Sequence, residues 1–283
     1  MIRVRLPARR VVSTAAILTV GIFAVPERLL TQELPLAPMR ASGQSVTAAY
    51  EGWFRDSDGQ VSLLVGYFNR NTEEVLDIPV GPDNRIEPGG PDYNQPTHFL
   101  PRRAWGVFAI PLPPDFGDQA LTWTIVANGQ ATQVPMSLKP DWEVEPYREP
   151  AQGNTPPTVR FAPMGDPQQG PPLGISAEYE VTVNESLTVT LWASDDGQVD
   201  PNRRPLEGAP VRIRWSKYRG EGEVVFSDPR PETDETTGET RTTVTVSVPG
   251  TYVLRAQAND SSGASGGFQC CWTNAHVRVT ALP

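Results

Sequence analysis

Prolines and glycines are spread through this chain at a density that few folds tolerate. Of its 283 residues, 30 are proline and 24 are glycine, together nearly a fifth of the total. Proline breaks helix interiors, and within sheets it is confined to edges, bulges and strand starts. No Gly-X-Y period is present that would indicate a collagen helix. The composition therefore predicts an all-β protein with short strands, many turns and a stiff linker.

The densest run of prolines divides the chain. Nine of them fall within residues 139–174, which predicts a semi-rigid linker, partly in polyproline II, with few contacts between the parts that it joins. Residues 45–138 and 175–283 each have the length of an ordinary domain, and we expect each to fold independently. Before them lie a leader at 1–25 and an irregular spacer at 26–44.

The first domain, residues 45–138, alternates short apolar runs with turn signals. About seven runs have the length and composition of strands, which is typical of a β-sandwich. Asn128-Gly129 stands between the last two runs, and Asn-Gly between strand-like segments favours a two-residue hairpin. Residues 81–96 are long, polar and rich in proline and glycine, so we expect a loop with no element of its own. Loops of this length are often functional.

The second domain, residues 175–283, contains seven further candidate strands. Val211, Ile213 and Trp215 alternate with polar residues, the pattern of an antiparallel strand with one buried face. The whole chain is therefore predicted to contain two antiparallel β-sandwich domains joined by a Pro-rich linker, after an N-terminal signal or anchor segment.

Three stretches of the second domain resemble an immunoglobulin-like module of the PKD or cadherin-like type. They are WASDDG at 192–197, WSKYRGEGEVVF at 215–226 and PGTYVLRAQAND at 249–260. Leu254 stands two residues after the tyrosine of the last stretch, where antibody-like domains carry their second cysteine. The resemblance, which covers roughly residues 187–262, implies a spacer, an adhesion unit or a binding accessory of an exported protein. No family resemblance is found in the first domain.

The leader combines a basic start with an apolar run. Residues 1–10 hold four arginines and no acid, and residues 11–25 are an apolar run of 15. This layout predicts a secretory signal, and an uncleaved anchor in the inner membrane is the alternative. In either case we expect the chain to be exported, to the periplasm or to the extracellular space.

The charge of the chain bears on its partners. Its formal net charge is −9, which repels the phosphate backbone and argues against nucleic-acid binding. The expected partner is an unidentified protein or glycan of the cell envelope. Contact with a membrane is expected only through the N-terminal segment.

Catalysis would need a positioned acid, base or nucleophile, and histidine is scarce. The only two histidines, His98 and His276, fall in different domains. His276 lies in the middle of a predicted strand, where we expect a surface position. No known phosphate-binding loop, hydrolase elbow or zinc-protease motif is present. These observations predict an envelope or cell-surface binding or scaffold protein without catalytic activity.

An enzymatic alternative centres on the region 81–104. His98 follows a loop that contains Asp83, Glu87 and Asp92, and their convergence in a concave pocket would favour a carbohydrate-active or hydrolytic enzyme.

A calcium site is a second possibility, in the other domain. Asp195, Asp196 and Asp200 surround a turn, and Asp260 would lie near them if the preceding strands pair. Calcium takes six to eight oxygen ligands, which carboxylates at a loop end can supply in part. An ordinary Asp-Gly turn explains the same residues. No other cofactor is expected.

Cys270 and Cys271 are the only cysteines. Export favours their oxidation, whereas adjacent residues in a strand point to opposite faces and resist bonding. Three readings remain open: a vicinal disulfide beside Trp272, one buried cysteine with its neighbour free, and an intermolecular bridge.

Overall fold

The chain forms an all-β structure of two sandwiches, as predicted, and their strands pair antiparallel except for one parallel pair in the second sandwich. The computed structural model describes residues 40–150, 153–198, 208–260 and 271–283. The predicted signal or anchor therefore lies outside the described residues. In the part of the chain that the structure describes, no helix has the length and apolar character needed to cross a membrane.

The first sandwich packs a sheet of order β1-β2-β6 against a sheet of order β4-β7-β8, with a short β3-β5 pair beside them. Its strands are β1 (Val46–Arg55), β2 (Val61–Asn69), β3 (Leu76–Asp77), β4 (Asn84–Glu87), β5 (His98–Phe99), β6 (Arg102–Pro111), β7 (Ala120–Ala127) and β8 (Gln130–Ser137). Asn128 and Gly129 join β7 to β8 with φ of 49° and 73°. Positive φ at both positions is what the tight hairpin requires, so that prediction is confirmed.

The long polar segment 81–96 contains a strand, contrary to expectation. Strand β4 pairs with β7, and the buried side chain of Asn84 holds the rest of the segment in place. Its amide nitrogen donates to the carbonyls of Ile78 and Pro96, at 2.9 and 2.8 Å, and its oxygen accepts from the Trp123 indole at 2.9 Å. Every polar atom of the buried Asn84 amide therefore has a hydrogen-bond partner. These bonds hold residues 81–96 in an ordered conformation.

The second sandwich has an immunoglobulin-like strand order. A sheet of order β10-β9-β12-β15-β14 faces a sheet of order β11-β17-β16-β13, with one core between them. Strand β11 runs parallel to β17. The strands are β9 (Thr158–Arg160), β10 (Gln168–Gln169), β11 (Ile175–Thr182), β12 (Leu187–Ser194), β13 (Val211–Arg219), β14 (Val224–Phe226), β15 (Glu239–Val246), β16 (Gly250–Asp260) and β17 (Trp272–Leu282).

Tyr252, at the start of β16, explains the glycines of the resembling stretch. Its hydroxyl donates to the carbonyl of Val248 at 2.8 Å, the tyrosine-corner contact of immunoglobulin-type domains. Gly220 and Gly222 lie against its ring, where an added Cβ would come within 2.3 Å of Tyr252 atoms at both positions. The spacing of the glycines therefore follows from the space that this ring occupies.

The Pro-rich segment 139–174 does more than join the sandwiches. Strands β9 and β10 lie within it and extend a sheet of the second sandwich, β9 through its pairing with β12. Earlier in the segment, the Val144 amide donates to the Trp53 carbonyl at 2.9 Å, alongside β1. The segment therefore contains strands and contacts to both sandwiches in addition to the extended linker that the sequence predicts. The predicted outer bounds of the sandwiches stay predictions.

A third apolar cluster joins the two sandwiches directly. Phe54 and Leu64 of the first contact Trp272 of the second, and all three side chains are buried. Residues Met39–Pro283 consequently group as one unit by their contacts, so the expectation of few contacts between the domains is wrong.

Candidate functional site at the junction of the two sandwiches

Three consecutive carbonyls of β6 accept hydrogen bonds from β17. The pairing of β2 with β6 shifts register here, which frees this stretch of β6 from its regular ladder. The Asn274 amide donates to the oxygens of Gly106 and Trp105, at 2.9 and 3.3 Å, and the His276 ring lies 3.1 Å from the oxygen of Val107. Side chains of the second sandwich thus form hydrogen bonds with the backbone of the first at the junction.

His276 is buried, which corrects the prediction of a surface position. It is only 5% exposed, and its ring packs on that of Tyr218 with centroids 4.2 Å apart. Burial, reinforced by the positive charge of Arg255, lowers the pKa of His276 to about 3. The ring is therefore neutral at ordinary pH, and its Nε2 carries the proton donated to the Val107 carbonyl.

Trp272 leaves no room for a side chain at position 106. A Cβ on Gly106 would lie 1.7 Å from Cη2 of the indole. Gly106 also has a φ of +49°, a conformation that glycine adopts without strain. Position 106 therefore requires glycine both for its backbone and for the approach of the ring.

Glu51 holds the same stretch of β6 in place through hydrogen bonds. Its buried carboxylate accepts from the Gly106 amide at 2.8 Å and from the Arg103 guanidinium at 2.8 Å. Burial raises the pKa of Glu51 to about 7, although Arg103 and the Gly106 amide act in the opposite direction. Gly66 makes space for the pair, because a Cβ there would lie 2.2 Å from a Glu51 oxygen.

The polar segment 81–96 binds the last residues of β13. Arg219 forms two bonds to the Asp92 carboxylate, at 2.7 and 3.0 Å, and donates to the Gln95 carbonyl at 2.7 Å. The Tyr218 hydroxyl donates to the carbonyl of Asn94. Hydrogen bonding by Arg219 lowers the pKa of Asp92. The loop that we expected to be functional is therefore a contact between the sandwiches.

His98 joins a second polar contact across the junction. Its Nδ1 lies 2.8 Å from an oxygen of Asp77, and the Lys217 ammonium of the other sandwich lies 2.9 Å from the same oxygen. Burial lowers the pKa of His98. Burial would raise the pKa of Asp77, but bonds from Lys217 and His98 outweigh it and the pKa is lowered. The described contacts of His98 are those of a structural pair.

The residues proposed for an enzymatic site do not converge. His98 pairs with Asp77, Asp92 with Arg219, and Glu87 with Arg85 at 2.9 Å. Asp83 has an exposed side chain and contributes its carbonyl to the β7 backbone. The region 81–104 therefore lacks the arrangement on which the carbohydrate-active or hydrolytic alternative depended.

A cleft of about 740 Å³ opens beside the junction, between the two sandwiches. This volume is in the range of small-molecule and peptide-side-chain sites. Its walls include Ala109 of β6 and Val253 of β16, and Leu173 stands at its rim with 51% exposure. Ser62 also lines it, and its fully buried hydroxyl has no hydrogen-bond partner among the described residues. Arg278 also lines it, and its guanidinium is paired with Glu178 at 2.6 Å.

Of the calcium candidates, Asp195, Asp196 and Asp260 are described, and Asp200 lies outside the described residues. Strands β12 and β16 belong to opposite sheets and do not pair, yet Asp260 comes close enough to Asp195 to repel it. Burial, then this repulsion, raises the pKa of Asp195 to about 6. Among the residues that the structure describes, no group of three or more acids, histidines or cysteines is arranged to hold a metal. The calcium site stays a prediction.

Cys271 is fully buried and disulfide-bonded. Cys270 lies outside the described residues, so the vicinal pairing of Cys270 with Cys271 also stays a prediction. The Cys271 sulfur lies 3.5 Å from the carbonyl of Asn154, and Trp272, next in the chain, belongs to the junction.

No family model and no curated protein matches the chain. Similar solved structures include the D00-D0 domain of intimin, at 12% identity over 84% of this chain and 100% of that chain, with a TM-score of 0.28. Others are titin Ig tandem domains A164-A165, at 10% identity over 84% and 99% with a TM-score of 0.23, and domains 4 and 5 of the S-layer protein SbsC, at 12% over 84% and 98% with a TM-score of 0.24. Likenesses at this level carry no argument about function.

Proposed function

We propose that this chain is an exported, non-catalytic binding or scaffold protein of the cell envelope or cell surface, whose two sandwiches act as one unit. The observation that carries the proposal is the row of β6 carbonyls that accept hydrogen bonds from Asn274 and His276. Buried bonds of this kind fix the angle between the sandwiches, because separating them would leave buried polar groups unpaired.

The same contacts support a role without catalysis. His276 is neutral and buried, and His98 binds the Asp77 carboxylate, which also binds Lys217 of the second sandwich. Both histidines of the chain therefore serve the junction. The finer assignment of the second sandwich, to the PKD or cadherin-like type, is part of the proposal and rests on the resembling stretches.

The cleft beside the junction is the proposed binding site. Its apolar walls and the unpartnered hydroxyl of Ser62 suit a partner with an apolar group and a polar acceptor. We propose a protein or glycan of the envelope, and the net charge of −9 argues against nucleic acid. Contact with the membrane is proposed only through residues 1–25.

Export is tested with a reporter that is active only outside the cytoplasm. Residues 1–44 fused to the reporter should give activity, while residues 26–44 alone should give none. A silent fusion of residues 1–44 would contradict the proposal. Fractionation of the same cells separates a cleaved leader from an anchored one.

The binding site is tested by cross-linking from its rim. A photo-reactive residue at Leu173 should capture an envelope partner, whereas one at Val225, also well exposed but outside the cleft, should not. Ala109→Trp, which fills the cleft, should abolish capture. Equal capture from both positions would remove the cleft from the proposal.

A further inference from the structure

A small, partly open cavity lies between β2 and β6 of the first sandwich and β13 and β16 of the second. Its volume is about 50 Å³, roughly three to five times the ~10–15 Å³ that one water needs. Three arginines line it, namely Arg103, Arg214 and Arg255, and its described lining includes no carboxylate. The other polar groups on its walls include Tyr67 and Ser216.

Arg255 is a buried cation without an ion pair among the described residues. It is 5% exposed. Its Nε donates to the Asn274 side chain at 2.7 Å, and a terminal nitrogen lies 3.4 Å from the carbonyl of Trp105. Both acceptors are neutral. A buried charge is costly without an opposite charge. The positive charge of Arg255 is therefore only partly compensated by the described residues.

The other two guanidinium groups add positive charge to the same space. Arg214 is exposed and makes no hydrogen bond or ion pair with any described residue, and Arg103 is held by Glu51. Arg103 and Arg255 therefore share one nearby carboxylate, Glu51, which does not line the cavity.

The hydroxyl proton of Tyr67 also lacks a hydrogen-bond acceptor among the described residues, which is an independent observation. Its hydroxyl oxygen accepts from the Leu100 amide at 2.9 Å, so its own proton must be donated elsewhere. The side chain is 2% exposed, and no acceptor for that proton is found in the described part of the chain. A buried hydroxyl that lines a cationic cavity is suited to donate to an anion.

We propose that this cavity binds a small monovalent anion, with chloride as the natural occupant by size. Arg255 and Arg214 supply the opposite charge, and the Tyr67 hydroxyl donates a hydrogen bond. The site goes beyond the proposed scaffold role, because it places a bound ion between the sandwiches whatever the external partner is. A ligand that binds only the folded state stabilises it by RT ln(1 + c/Kd), where c is the ligand concentration, so the gain grows with the logarithm of c above the Kd.

The first test is thermal unfolding of the mature chain while chloride replaces gluconate at constant ionic strength. Gluconate is too large for the cavity. The unfolding temperature should rise with chloride, and above the Kd of a single site the gain should grow with the logarithm of the chloride concentration. Arg214→Gln should abolish this response, and Arg212→Gln, which removes the same charge from the same strand but does not line the cavity, should retain it.

Tyr67→Phe separates the anion from simple charge effects. It removes one donated bond to a charged group and should weaken chloride affinity about tenfold or more. Crystals grown in bromide should show an anomalous peak within the cavity. Equal chloride responses in Arg214→Gln and Arg212→Gln, or a cavity that holds only water in bromide, would overturn the proposal.

Discussion

The indole of Trp272 lies directly on the backbone of Gly106, with no space between them for a methyl group. Trp272 is the first residue of β17 in the second sandwich, and Gly106 lies in the central part of β6 in the first. The contact belongs to the apolar cluster that Trp272 forms with Phe54 and Leu64, so the two sandwiches share a small core.

Gly106→Ala should destabilise the protein by about 2–5 kcal/mol. The left-handed backbone costs a non-glycine residue ~1–2 kcal/mol, and overpacking costs ~1–3 kcal/mol. Gly59→Ala is the matched control, because Gly59 also has a positive φ but open space around its Cβ position. Urea unfolding measures both. A loss of stability no larger than that of Gly59→Ala would show that the Trp272 ring moves aside at little cost.

Asn274→Leu should split the unfolding transition. Asn274 donates to two carbonyls of β6 and accepts from Arg255, so the substitution leaves buried groups unpaired on both sandwiches. Scanning calorimetry should show one transition for the wild type and two for the variant. Thr280→Val, on the same face of β17 but outside these contacts, should keep one transition. Two transitions in the wild type would mean that the sandwiches unfold independently, as the sequence alone suggested.

His276 should make the protein less stable in acid. Its pKa falls from an ordinary 6.5 to about 3 on folding, so the unfolded chain takes up the proton first. Its contribution is complete above pH 6.5 and is lost as the pH falls toward about 3, with a slope near 1.4 kcal/mol per pH unit for one proton.

His276→Gln should remove that slope and can still donate to the Val107 carbonyl. Glu51 acts with the opposite sign, because its raised pKa favours the folded state in acid and the benefit is lost as the pH rises through about 7. The measurement is therefore the difference between wild type and variant across the acid range. A difference that does not change with pH would contradict the buried, neutral assignment.

Asp195→Asn should stabilise the second sandwich at neutral pH. The pKa of Asp195 rises from 3.8 to about 6, so its contribution to stability is complete below 3.8 and is lost as the pH rises through about 6. Because the side chain is only half-buried, we expect a gain of no more than about 1 kcal/mol. Asp118→Asn, an exposed carboxylate of the first sandwich, should change nothing.

The same variant tests the calcium prediction. If Asp195, Asp196 and Asp260 contribute oxygens to a calcium ion, millimolar calcium should raise the unfolding temperature of the wild type and leave that of Asp195→Asn unchanged. Magnesium serves as the control ion. If the wild type unfolds at the same temperature with calcium and with a chelator, the calcium prediction is wrong.

Cys270 and Cys271 should resist alkylation when no reductant is present. Because the chain has no third cysteine, an intramolecular bond can only be vicinal. Intact mass after alkylation should show no added group, and two added groups would mean free thiols. A covalent dimer on a non-reducing gel would support the intermolecular bridge instead. Alkylation after reduction should add two groups to the chain.

The strands could be predicted because their pattern is local. Alternation places Val211 and Ile213 inside, and Asn128-Gly129 sets a hairpin without reference to any other part of the chain. The junction could not be predicted in the same way. Asn274 and His276 occupy the outward face of β17, and alternation cannot distinguish a polar face that meets water from one that meets another domain.

One sequence signal for the junction does exist. Strand β2 reads VSLLVGYFN, an almost continuous apolar run in place of alternation, and both of its faces are buried. Such a run indicates a sheet that is covered on both sides. What covers it depends on Trp272, which lies more than two hundred residues away in sequence, and no local pattern encodes that distance.

The parallel pairing of β11 with β17 has a mechanical consequence. Seven residues of β11, from Ile175 to Thr182, align with seven of β17, ending at Leu282. A pull that draws Ile175 and Leu282 apart slides the two strands in opposite directions and loads their hydrogen bonds in shear, all at once. An antiparallel pair pulled from its open end would instead give way one bond at a time. A chain held under tension at a cell surface would therefore carry load through this pair of strands.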